Sequence, residues 1–366
     1  MLEVADIFRQ HGAAYRASHS LLPSQTRALR DLEHCRTAFF GGQLVQCDHC
    51  SKQHFAYHSC KNRHCPKCHG QQTQAWLDHQ RERLLPVPYY LLTFTLPAPL
   101  RPLAFRHQKL VYGALLKCAA ASVLKLAADP DYLGATPTVL AVLHTWTRSL
   151  SYHPHVHLLV SAGGLSQDGQ AWMPPKHPAF LVPVRALSVV FRAKIRGVLQ
   201  RAGLLAPLPH KLWAQPWVVH CQHAGSGDKV LEYLARYLFR VAISNSRLKA
   251  LDGGQVTFAY RDNRTQEPRR ITLPAEQFIE RFLQHVLPQG LRKVRSYGLA
   301  SAKAHADLAQ ARSLLAPWSD STAAAIPSAS QTPPASANCD LPLCPSCRVG
   351  RLFFVQSIQP RRRFPP

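Results

Sequence analysis

The segment His153-Pro154-His155-Val156-His157-Leu158-Leu159-Val160 concentrates chemistry in eight residues. Along a strand, side chains two apart project from the same face. His155 and His157 therefore leave the strand together, with Val156 and Leu158 packing beneath. Two adjacent imidazoles suit a core poorly and suit a divalent metal well. A third ligand could come from His144 on PTVLAVLHTW (137–146), which a short antiparallel return would bring beside His155; a strand-end histidine bonded to backbone is the plainer alternative. Carboxylates are scarce nearby, which favours an all-histidine site over a carboxylate-rich two-metal site.

Downstream, Tyr233 and Tyr237 lie four residues apart in DKVLEYLARYLFR (228–240), a helix for which Asp228 is a plausible N-cap. That spacing places both phenols on one face, about one turn apart. Two aromatics at helical spacing usually pack into a core, but Lys229, Arg236 and Arg240 share this helix. Phenols beside cations suit phosphoryl transfer, where a tyrosinate attacks phosphorus and cations stabilise the charge on the phosphate oxygens. Arg236, Arg240, Arg292, Lys293 and Arg295 are the candidate phosphate contacts; a solvated basic face is the alternative.

Cysteines supply a second chemistry. Cys47-Asp48-His49-Cys50 and Cys65-Pro66-Lys67-Cys68 are two CxxC knuckles separated by 14 residues. Two tight turns, each offering a pair of thiolates, give zinc its tetrahedron. The expectation is one structural zinc ribbon held by Cys47, Cys50, Cys65 and Cys68, whose polar, basic surroundings have little apolar mass to fold around without metal. Cys60, His54, His58, His64 and His69 are surplus ligands that a second zinc could use, although solvent or phosphate contact accounts for the histidines more simply. The tail pair Cys344 and Cys347, with Cys339 nearby, is half a site, to be completed from elsewhere in the fold or from a second chain, or to hold no metal. Cys35, Cys118 and Cys221 sit in apolar or helical surroundings and read as inert core cysteines.

Composition bounds the partners. The chain has 366 residues, with 44 Lys plus Arg against 20 Asp plus Glu, a net charge of +24. Charged residues total only 17%, so the imbalance reflects missing acids as much as added bases. With 46% apolar residues the chain can bury a core, which excludes a charge-swollen disordered protein. So basic a balance points to a polyanion, most readily nucleic acid. The first residues show no secretion pattern and no stretch approaches a bilayer span, so the expectation is a cytoplasmic, nucleoid-associated protein with no membrane partner.

The elements that must position these groups read as follows. Residues 1–45 look helical and 46–70 form the zinc ribbon; 71–315 form the catalytic domain, 316–338 a Pro/Ser/Ala linker, and 339–366 a basic tail. Within the catalytic domain, helices are expected at 71–86, 103–127, 185–203, 228–240 and 274–288. Strands are expected at 89–97, 137–146, 155–164 and 213–221, and a hairpin at 242–250 and 255–260 hinged at Asp252-Gly253-Gly254. The fold class is α+β, with an N-terminal helical and zinc-ribbon module.

Several longer stretches resemble one family: SCKNRHCPKCH (59–69), FTLP (94–97), HTW (144–146), HPHVH (153–157), YLARYLFRVAISNSRL (233–248) and EQFIERFLQHVLPQGLRKVRSYGLA (276–300). In this order they are similar to the two-tyrosine, rolling-circle transposases of bacterial insertion sequences (the IS-ninety-one type), within the HUH endonuclease superfamily. The resemblance implies a central antiparallel sheet flanked by helices, with the histidine pair on a middle strand and the tyrosines on a helix facing it. It also implies His155 and His157 as metal ligands and Tyr233 and Tyr237 as nucleophiles. Ten residues separate His144 from the pair, a spacing similar to the three-histidine site of conjugative relaxases. The implied activity is cleavage and rejoining of single-stranded DNA at element ends and target DNA through a 5′-phosphotyrosine, with Mg²⁺ or Mn²⁺ as catalytic cofactor and Zn²⁺ as structural cofactor. A replication initiator or relaxase shares the chemistry, but no GxxxxGK[ST] phosphate loop is present. A non-catalytic zinc-ribbon regulator leaves HPHVH and the tyrosines unexplained. A zinc deaminase needs a His-x-Glu that does not accompany Cys65-Pro66-Lys67-Cys68.

Overall fold

The computed structural model describes residues 2–68, 80–81, 83–177, 180–226, 242–262, 265–319 and 341–361. The chain opens with helices α1 (Val4–Ser18) and α2 (Pro23–Glu33). Asp6 accepts the Glu3 N–H at 2.9 Å to cap α1, and α2 starts on a proline, whose missing N–H costs nothing there. Strands β1 (Gly42–Cys47), β2 (Gln53–Tyr57) and β3 (Pro88–Thr95) follow, then helices α3 (Arg101–Arg106) and α4 (Gln108–Ala127). Next come β4 (Ala135–Thr136), β5 (Thr138–Trp146), β6 (Tyr152–Ser161), β7 (Gly164–Ser166) and β8 (Trp172–Met173). Helices α5 (Val184–Arg201) and α6 (Lys211–Ala214) precede β9 (Val219–Ser226). The described chain continues with β10 (Leu248–Asp252), β11 (Gln255–Arg261), β12 (Pro268–Pro274), α7 (Ala275–Leu283), β13 (Val294–Gly298), α8 (His305–Ser319) and β14 (Leu352–Ile358).

A five-stranded antiparallel sheet in the order β13-β5-β6-β3-β9 is the centre of the molecule. Its strands alternate so that one face presents Tyr90, Leu92, Phe94, Val139, Ala141, Leu143, Val156, Leu158 and Val160. Helices α4 and α5 cover that face, α5 through Leu187, Phe191, Ile195 and Leu199. Helix α4 is apolar enough to cross a bilayer by composition, yet most of it is buried here as the core helix. Each of its fully buried leucines contributes roughly 1.5–3 kcal/mol. The opposite face carries Tyr89, Leu140, Val142 and Leu159, closed at one end by Leu308, Ala311 and Leu315 of α8. The other end of this second face carries the histidines.

A second core joins α1, α2 and α7 to the sheet β10-β11-β12, with Phe8 and Phe282 edge to face at 5.2 Å. Leu150, in the β5–β6 connection, is fully buried in this cluster and takes a left-handed φ of +63°. An apolar side chain in that conformation costs energy that burial must offset. The result fixes where the histidine strand begins.

The mixed α+β class holds, and the expected antiparallel sheet flanked by helices is present with the histidine pair on its middle strand. Several boundaries differ, three of them as follows. β1 starts at Gly42, inside the segment expected to be helical. The strand expected at 213–221 is displaced to Val219–Ser226, because Lys211–Ala214 forms a helical turn and Pro216 cannot join a central ladder. The first hairpin strand begins at Leu248 rather than 242, after the turn Asn245–Arg247. The helices expected at 71–86 and 228–240 lie largely or wholly outside the described residues.

Candidate metal centre and cysteine clusters

β6 lies between β5 and β3, and its register sets the geometry of the histidines. His155 sits opposite His144 on β5 and Thr95 on β3, while His157 sits opposite Val142 and Thr93. Cross-strand partners share a face, so His144, His155 and His157 converge, their ligand nitrogens all within 4.8 Å of one another. Ring centroids are 5.4 Å apart for His144–His155 and 4.9 Å for both other pairs. No carboxylate joins this group among the described residues.

Neighbouring groups orient the rings. His155 Nδ1 donates to the His153 carbonyl at 2.7 Å, which leaves Nε2 as the lone-pair nitrogen. His157 Nδ1 pairs with Thr93 Oγ1 at 2.9 Å, which orients the ring. Trp146 stacks on His144 at 4.9 Å, and the Lys293 ammonium lies 5.0 Å over the same indole. Burial lowers His155 to about 4 and His157 to about 3, the latter helped by His155. Both imidazoles are thus neutral at ordinary pH, as a ligand must be. Burial, with Arg63 nearby, lowers Lys293 to about 7. Three imidazoles converging in this way would suit a divalent cation, which would supply Lewis-acid chemistry there.

The other expected site residues stand as follows. Tyr233, Tyr237, Arg236 and Arg240 lie outside the described residues. Arg292 is exposed. Arg295 pairs with Ala141 on β13, which turns it to the helix-covered face, away from the histidines. Arg101 was missed by sequence reasoning: its Nη2 donates to His153 Nδ1 at 2.8 Å, bringing a cation to the strand that carries the site. Thr93 and His285 were also missed. His285 is buried, contacts Thr145 Oγ1 and the Leu150 carbonyl at 3.4 Å each, and meets the Trp146 ring at 6.0 Å. Thr93 immediately precedes the FTLP run, and its place opposite His157 was the available signal.

The cysteines correct the expected ribbon. Cys47, Cys50, Cys65 and Cys68 do not share one site; they divide between two four-cysteine clusters. Cys65 and Cys68 join Cys35 and Cys60, with sulfur separations of 3.5 Å for Cys35–Cys68 and Cys60–Cys68 and 3.6 Å for Cys35–Cys65. Cys35 is therefore part of a cluster rather than an inert core thiol. Cys47 and Cys50 instead face Cys344 and Cys347. The strand β2 and its turns carry the two knuckles apart, so neighbours in sequence are not neighbours in space. Four sulfurs at 2.3 Å from one zinc stand about 3.8 Å apart, close to the separations seen, and the cysteine clusters fit structural zinc.

Residues 7–96 match the family model described as "Transposase zinc-binding domain", and residues 138–307 match that described as "Putative transposase". The chain is 37% identical over 97% of its length to "Putative transposase y4qJ" of Sinorhizobium fredii, covering 95% of that protein. It is 32% identical over 72% of its length to the transposase for insertion sequence element IS801 of Pseudomonas savastanoi pv. phaseolicola, covering 67% of that protein. Among solved structures, the metal-free conjugative relaxase TrwC in complex with oriT DNA aligns over 62% of this chain and 71% of its own, at 14% identity; its TM-score of 0.26 carries no argument. With the zinc-binding and transposase models both matched in order and a relative aligned over nearly the whole length, the chain belongs to the IS91-type family of insertion-sequence transposases.

Proposed function

We propose that this protein cuts and rejoins single-stranded DNA at insertion-sequence ends through a covalent tyrosine intermediate. The observation that carries the reading is the convergence of His144, His155 and His157 on one face of the central sheet, a group that no carboxylate joins among the described residues. A divalent ion held there, Mg²⁺ or Mn²⁺, supplies Lewis-acid polarisation of the scissile phosphate. His155 and His157 stay neutral, while the His153 carbonyl and Thr93 hold their rings in place. Arg101, and Lys293 in its protonated form, offer positive charge to the phosphate oxygens. One of Tyr233 and Tyr237 attacks phosphorus, the P–O3′ bond breaks, and a 5′-phosphotyrosine and a free 3′-hydroxyl result. The other tyrosine serves the next junction, and the 3′-hydroxyl reseals by the reverse step, so the bond energy is conserved and no nucleotide cofactor is required. The cysteine module and N-terminal helices recognise the element end. The reaction takes place in the cytoplasm, where the bacterial DNA lies.

The test uses labelled single-stranded element ends with Mn²⁺ or Mg²⁺. Wild-type protein forms a denaturation-resistant adduct; His155→Ala and His157→Ala form none while still binding the DNA. An undiminished adduct in either variant refutes the role of the histidines. If wild type binds DNA and never forms an adduct, the non-catalytic regulator reading replaces this one.

A further inference from the structure

We propose that the C-terminal tail completes a second zinc centre, Cys47–Cys50–Cys344–Cys347, and that this ion staples the tail to the N-terminal sheet. The matched zinc-binding region ends at residue 96 and contains only half of this set. The proposal concerns residues away from the catalytic sheet and stands independently of the catalytic reading.

Two halves nearly 300 residues apart meet with matching geometry. Cys47 and Cys347 sulfurs lie 3.6 Å apart, and Cys50 and Cys344 lie 3.7 Å apart. These are the edges of a tetrahedron around a zinc ion with 2.3 Å bonds, about 3.8 Å, and far beyond a disulfide bond. Each knuckle is the same turn. The residue after its second cysteine is left-handed, at +58° for both Ser51 and Arg348. In each, that residue's N–H also bonds back to the first cysteine's carbonyl, at 3.1 Å from Ser51 to Cys47 and 2.9 Å from Arg348 to Cys344. Backbone N–H groups aim at the sulfurs, from His49 and Cys50 to Cys47 and from Gly350 to Cys347, each at 3.4 Å, as suits anionic thiolates. His54 Nε2 lies 3.4 Å from the Cys344 sulfur. The knuckles also hold each other directly: Arg351 N–H donates to Asp48 Oδ1 at 2.7 Å, and Asp48 N–H to the Arg351 carbonyl at 3.1 Å. At Gly350, any Cβ would stand 2.5 Å from the Cys47 sulfur, so the close approach requires glycine.

An independent observation makes the metal necessary to the docking. β14 pairs with β1 over its length, yet its side chains are mostly exposed, Phe354 at 56% and Phe353 and Val355 at 40% each. Among the described residues, no hydrophobic core cluster includes this strand. The deeply buried side chains at the junction are Cys47 and Cys344, each at 1% exposure. A short segment without apolar anchorage stays folded when metal binding supplies the missing free energy. On binding, four thiols release four protons to solvent and four Zn–S bonds form, with nothing oxidised or reduced.

The experiment uses the full-length chain with a protease site inserted between Ser328 and Ala329, in the Pro/Ser/Ala segment. Purified wild type is expected to carry two zinc ions per chain by mass spectrometry, and Cys344→Ser/Cys347→Ser to carry one. After cleavage, the tail fragment co-elutes with the remainder of the wild type and separates from that of the double variant. In the uncleaved variant, amide exchange quickens along β14 and stays slow in β6, which shows that the rest is folded. One zinc in wild type, two in the variant, or a tail that stays docked in the variant overturns the proposal.

Discussion

The histidine cluster makes a prediction that separates a buried metal site from a surface one. Burial holds His155 near 4 and His157 near 3, against an ordinary 6.5. Between pH 7.5 and pH 5.5, two ordinary imidazoles lose about 100-fold in the joint population of their neutral forms. With the lowered values, His155 is still about 97% neutral at pH 5.5 and His157 more so, so the same change costs less than about twofold. The sign follows from burial: the charged form is the one penalised, so protons compete with metal only at more acid pH. The perturbation is pH alone, in zinc-replete protein with the histidine site free of metal. The assay is NMR of ¹³C-labelled imidazoles assigned through His155→Gln and His157→Gln. Both rings should keep neutral-form shifts down to pH 5.5. A midpoint near 6.5 for either ring would refute the idea that the site is desolvated and ready for metal.

Other consequences follow from neighbouring groups. Thr93→Val keeps the β-branched shape of β3 but removes the partner at 2.9 Å from His157; Mn²⁺ affinity should fall about tenfold, measured by calorimetry, with thermal stability nearly unchanged. Arg101→Gln should slow adduct formation about 100-fold with little change in DNA affinity, as read from single-turnover kinetics. For His285, burial lowers the folded value to about 4 while the unfolded chain stays near 6.5. Its contribution is therefore full above pH 6.5 and lost as pH falls toward 4. Urea unfolding should show wild type losing about 2 kcal/mol more than His285→Gln between pH 7.5 and pH 5.

Much of the site was legible because period-two alternation is strong in PTVLAVLHTW and HPHVHLLVS, where β-branched and leucine residues separate the histidines. The same alternation gave the pairing that sets His144 against His155. The zinc arrangement was not legible. Adjacent CxxC pairs read as one site, but β1 and β2 pair antiparallel and leave the knuckles in different cysteine clusters, while Cys35 follows an amphipathic helix that disguises it. Completion from Cys344 and Cys347 depends on tertiary contact, which local spacing does not encode. Strands β12 (PRRITLP) and β13 (VRSYG) escaped because basic residues and proline mask weak alternation at sheet edges. Arg101 escaped because its role arises from the chain reversal after β3, which sets it against His153.

The central claim is that a tyrosine of this chain becomes covalently joined to DNA at a metal site made by His144, His155 and His157. Its most direct test is proteolysis of the DNA-trapped protein followed by mass-spectrometric sequencing of the nucleotide-bearing peptide. The account predicts a phosphodiester on Tyr233 or Tyr237, absent when His155 is alanine and absent when both tyrosines are phenylalanine. A nucleotide on any other residue, or cleavage that proceeds in the Tyr233→Phe/Tyr237→Phe protein, would contradict it.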